Sequence, residues 1–136
     1  MLFKYAFLAN SAELGQEGRI SALGLGIDGI LVPSLPTAFP SLAVVACFLF
    51  QAEECGRQHH IRVSVLRPDG TPSVESEIVV APEIVPFAPQ RPVQQQMIVN
   101  LFNLQVNSEG EHTIVFACEP GEGGAIGFAV RVNPPA

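Results

Sequence analysis

The stretch EECGRQHHIRV, residues 53 to 63, gathers side chains that could do chemistry: Glu53, Glu54, Cys55, His59 and His60. Cys55 and His59 stand in a C-x3-H spacing, and a thiolate and an imidazole both suit zinc. A full zinc site wants about four ligands, so Cys47, His112 and Cys118 would have to gather around this pair. No C-x-x-C or H-x3-H pair accompanies it, and His60 stands beside Arg62, whose charge repels a cation. Cys47, inside LAVVACFLF, and Cys118, at the end of TIVFAC, read instead as small buried hydrophobes. The expectation is that no metal is held.

Nucleophilic catalysis needs a nucleophile, a base and a group that orients the base. Ser64 and Cys55 lie near His59 and His60, but no nucleophile elbow or other catalytic frame surrounds them. Adjacent residues of a strand point to opposite faces, so only one of the two histidines could serve a given pocket. Glu75 and Glu77 would share one strand face and could act as a carboxylate pair. Paired acids there more simply form the wet face of an edge strand, where charge discourages foreign pairing. The glycine-rich stretches GLGIDG (24–29) and PGEGG (120–124) lead into no helix, so they read as turns and bulges, not phosphate cradles. The sequence therefore nominates no catalytic, cofactor-binding or metal-ligating residue.

The elements that would position these groups are strands. The chain has 136 residues, 48% of them apolar and only 15% charged, which suits one domain with a real core, spanning 1–136. Its net charge of −6 gives no footprint for a phosphate backbone, and nucleic-acid binding is not expected. Three cysteines do not suggest a disulfide framework. No signal peptide is expected in MLFKYAFLAN. The longest apolar run, 42–50, is far short of the roughly 20 residues that span a bilayer. A soluble cytoplasmic protein is expected, with no cofactor.

Twelve prolines and twelve glycines punctuate the chain without a repeat, as tight turns between short strands do. Strands are expected at 2–9, 19–27, 41–50, 59–66, around 74–81, at 94–106, 112–118 and at the C-terminal AIGFAVRV. SAELGQEG (11–18) reads as a polar connection. VPSLPTAFP (32–40) should lie outside any central strand, because proline offers no N–H to a ladder. RPDG (67–70) supplies the chemistry of a hairpin turn. About eight strands and no helix argue for an all-β, two-sheet antiparallel β-sandwich whose last three strands form a meander.

Three segments, 2–9, 42–50 and 97–104, are apolar on both faces, where a sandwich strand normally wets one. Either loops cover the second face, or it is a surface for self-association.

The order of FLANSAEL (7–14), GRISALGLGIDGI (18–30), TAFPSLAVVACFLF (37–50), HHIRVSVLRPDGTP (59–72) and SEGEHTIVFACE (108–119) resembles a family of small bacterial proteins catalogued as a domain of unknown function. In that family the first strand usually ends in an alanine-aspartate-tyrosine-alanine type motif. Here Asn10 and Ser11 replace the acid and the aromatic, and Ile27 stands near another aromatic's place. The resemblance implies a fold and carries no catalytic residues. The expected role is a non-enzymatic binding or assembly domain, a homo-oligomer or the partner of another protein. The alternative is a ligand-binding β-module for a carbohydrate, peptide or small apolar molecule. The absence of Trp and the single Tyr5 speak against stacking on sugars.

Overall fold

Alternation does most of the folding work. Ile61, Val63 and Val65 turn to one face of a strand and are at most 2% exposed, while His60 and Arg62 turn to the other. The structure, a computed structural model, describes residues 1–16, 19–119, 121 and 123–133. Its strands are β1 (Leu2–Ala9), β2 (Ser11–Leu14), β3 (Ile20–Leu23), β4 (Gly29–Val32), β5 (Thr37–Phe50), β6 (His59–Leu66), β7 (Pro72–Val80), β8 (Val93–Val106), β9 (Gly110–Cys118) and β10 (Gly124–Val132).

The all-β class holds, and the finer expectation needs correction. Ten strands are seen among the described residues, in three sheets: β1-β5-β8, β4-β10-β9-β6-β7, and a β2-β3 ribbon. The β4–β10 pair is parallel, not antiparallel. The expected meander fails as well. β9 and β10 are antiparallel neighbours, but β8 belongs to the other large sheet and pairs with β5.

The differences have local causes. Ser11–Leu14, read as a connection, is a strand of only four residues, too short for a periodic signal; residues 17 and 18 of that connection lie outside the described residues. The segment 19–27 is a strand only to Leu23, because Gly24 and Gly26 adopt positive φ and turn the chain. The proline-rich 32–40 contributes the end of β4 and the start of β5, and Pro40 sits inside the central strand of the three-stranded sheet. It is tolerated because the β5–β8 ladder passes from Phe39↔Leu104 to Ser41↔Phe102, so Pro40 and the facing Asn103 make no paired step. Asn103 has φ 52, a left-handed conformation that Asn accepts more readily than most residues.

The hairpin β6–β7 forms as expected. Gly70, at φ 86, donates its N–H to the Arg67 carbonyl at 2.8 Å. Asp69 Oδ1 accepts from the Thr71 hydroxyl at 2.6 Å and from the Thr71 N–H at 2.9 Å, and these bonds hold its carboxyl below the ordinary range.

The two larger sheets share one core. Phe3 and Phe48, from β1 and β5, meet Phe116 of β9: Phe3 stacks on Phe116 at 5.6 Å, and Phe48 meets it edge-on at 6.1 Å. Around them pack Leu8, Leu42, Val44 and Phe50 from one sheet and Ile61, Val63, Ile114 and Phe128 from the other, all at most 2% exposed. Aromatic pairs of this kind add about 0.5–1.5 kcal/mol each beyond the area they bury.

Candidate functional site

The corner that holds Cys55 and His59 is built by a single 3-10 turn, Ala52–Glu54, between β5 and β6. Its first backbone donors need partners, and Glu54 reaches back to supply one. Its Oε1 accepts from the Gln51 N–H at 2.9 Å, while Oε2 accepts from the N-terminal ammonium of Met1. Burial works against the Glu54 carboxylate. The ammonium, the Gln51 N–H and nearby His59 outweigh it, so the carboxyl is held below its ordinary value.

His59 completes the corner. Its Nε2–H donates to the Glu54 carbonyl at 2.6 Å, and its ring lies 4.9 Å from Phe50. Cys55 donates its S–H to the Gln51 carbonyl at 3.6 Å. Burial, then the charges of Glu54 and Glu53, push its thiol up. A reactive cysteine is shifted the other way. Cys55 and His59 thus face their own chain, and what they do here is tie the start of β6 to the turn before it.

The remaining candidates are dispersed. His60 turns to the opposite side from His59, as strand geometry requires, and donates through Nδ1–H to Glu77 at 2.6 Å on the exposed face of the five-stranded sheet. Arg62 lies directly across from Glu77, and Ser64 from Glu75. Glu75 and Glu77 therefore share the wet face of an edge strand. His112 is buried at 3% exposure, stacks on Phe128 at 5.3 Å and donates to the Gly110 carbonyl at 3.2 Å. Cys118 lies six positions further along β9, about 20 Å away at strand rise. Burial pushes its thiol up too. Among the described residues no group of three His, Cys, Asp or Glu is placed to hold a metal ion. Of the glycine-rich stretches, 24–29 turns into β4; Pro120 and Glu122 of PGEGG lie outside the described residues.

A different surface stands out. The three segments apolar on both faces are β1, β5 and β8, and they form one sheet. Its inner face feeds the core. Its outer face carries Tyr5, Phe7, Val45, Cys47, Leu49 and Ile98. Val45 and Cys47 are 5% and 0% exposed, yet neither belongs to the shared core. They are covered by neighbours on their own face. Gln96 donates to the Tyr5 hydroxyl at 2.9 Å, bridging from β8 to β1 across Cys47. Tyr5 and Phe7 rings lie 5.2 Å apart. Burial pushes the Cys47 thiol up, against the opposing pulls of Tyr5 and Lys4. At one end the β2–β3 ribbon lies against β5 and β8, where Ala9 and Ala43 are fully buried. Elsewhere Leu2, Phe7 and Phe102 stay 41%, 44% and 68% exposed. Lys4 is the only charged side chain in the three strands. Sequence reasoning had the strands but not their assembly into one face, because pairing partners lie far apart in the chain.

Fold and surface define an all-β domain with one charged sheet face and one apolar one. The chain belongs to a family of unknown function, DUF6941, whose model matches residues 4–131. No curated protein and no solved structure matches it. No helix among the described residues is long and apolar enough to cross a membrane.

Proposed function

We propose that this chain is a non-enzymatic binding or assembly domain that engages protein through the β1–β5–β8 sheet. The observation that carries the reading is the gathering of the three doubly apolar strands into one sheet. Its outer face offers Leu2, Phe7 and Phe102 to solvent, and Lys4 is the only charge in its strands. Exposed apolar side chains on a face with so little charge favour an interaction site over a bare surface. The expected surroundings are the cytoplasm, whose reducing conditions suit three free cysteines.

Light scattering across concentration tests the reading. The 14.5 kDa chain is expected to show an assembled mass that rises with concentration. Phe7→Lys, which places a charge on the outer face, should shift the distribution toward smaller species. A wild type that stays a strict monomer up to millimolar concentration contradicts self-association through this sheet.

A further inference from the structure

The sheet edges differ in how they are closed to other strands. An edge presents unpaired N–H and C=O groups, and proteins blunt it with shortness, charge, proline, bulges or cover. β7 carries Pro72, Glu75 and Glu77. β4 is only four residues long. β1 has Lys4 at a bulge, and its Leu8 carbonyl is taken by the N–H groups of Gly26 and Ile27 at 2.8 and 3.3 Å. β8 has almost none of these devices. It runs for 14 residues with no charge and no proline. Among the described residues, backbone hydrogen bonds reach it from β5 alone. Asn103, at positive φ, interrupts its last part, and the ladder to β5 is unbroken over 93–102. Asn100 and Phe102 are exposed, and the stretch 100–105 opens onto a groove across from Ser73 and Val74.

We propose that residues 93–101 of β8 pair antiparallel with the same residues of a second copy of this chain, about a two-fold axis, to make one six-stranded sheet. The inference rests on the assembly reading above and names its partner. A strand paired with itself about a two-fold axis is self-complementary. Each copy carries a net charge of −6, and pairing through β8 sets no carboxylate against another. The same contact through β7 would oppose Glu75 and Glu77 to their equivalents. Because the other edges are blunted, the contact closes at two copies and does not grow into a filament.

Sedimentation equilibrium and hydrogen exchange on the full chain test this. The expected result is a two-chain species, with amide exchange across 93–101 slowing as concentration rises and exchange across 72–80 unchanged. The double variant Gln94→Lys, Asn100→Lys alters two exposed side chains and sets like charges near one another across the axis. It is expected to raise the dissociation constant about ten-fold while keeping the circular dichroism spectrum of the wild type. Phe7 lies two strands from the joined edge, so Phe7→Lys should leave the two-chain species intact and weaken only the association of pairs through the outer face. A wild type that never associates overturns the inference together with the assembly reading. Association in which 93–101 exchanges as fast as in the monomer overturns the inference alone, as does association that a folded double variant leaves untouched. Protection of 93–101 only by a different protein overturns the choice of a second copy.

Discussion

The two large sheets share a core and differ on their outer faces. The five-stranded sheet turns His60, Arg62, Glu75 and Glu77 outward and wets that face with charge. The three-stranded sheet turns Tyr5, Phe7, Val45 and Ile98 outward and has Lys4 as its only charge. Their inner faces are equally apolar. Core formation therefore does not explain the difference, since the core needs only one face of each sheet. Most of the residue types that looked chemical fall on the charged sheet or at its entry, where Cys55, His59, His60, Glu77 and His112 have partners within the chain. The residue types that looked most ordinary build the surface without an evident partner.

The two sheets depend most on the core that they share. Phe48→Ala removes a ring that meets Phe3 and Phe116 and should cost about 3–5 kcal/mol in urea denaturation. Probes on either sheet are expected to report one transition. Separate transitions would show that the sheets are held independently.

Next comes the kink in β8. Asn103→Val forces a β-branched residue into positive φ and should cost about 1–3 kcal/mol, whereas Asn103→Gly should be close to neutral. Equal losses for the two would mean that the side chain matters there, not the backbone.

Glu54→Gln should cost about 1 kcal/mol, since a part-buried carboxylate loses charge-assisted bonds to Met1 and Gln51. Its folded-state pKa is depressed below the ordinary 4.5. Its contribution is therefore present above that value and lost as pH falls through the folded-state pKa. The gap between wild type and variant should close in acid, and a gap that stays constant from pH 7 to pH 3 would refute that linkage. Smallest is Glu77→Gln. His60 and Glu77 are more than half exposed, and the loss should stay below about 0.5 kcal/mol and shrink further in salt.

Much of this was legible in the sequence. Alternation at Ile61, Val63 and Val65 gave β6 its inward face, and Pro-Asp-Gly gave the β6–β7 turn its place. Three things stayed hidden for physical reasons. β2 and β4 span four residues each, too few for a period to show. The sheet that β8 joins is decided by pairing with β5 some fifty residues away, which no local pattern encodes. The rule that bars proline from a central strand holds for a paired N–H, and at Pro40 the ladder makes no paired step.

That unpaired step has a further role. A strand with one apolar face resists slipping by a residue, because the slip turns its greasy side to water. β5 is apolar on both sides from Leu42 to Phe50, so hydrophobicity alone would tolerate the wrong alignment there. At Pro40 and Asn103 both strands change phase together: Leu42 and Phe39 point inward on one, Leu101 and Leu104 on the other. Only one alignment sets the proline opposite the kink. The two residues act as a notch and key that choose the register of a sheet whose greasy faces cannot choose it themselves.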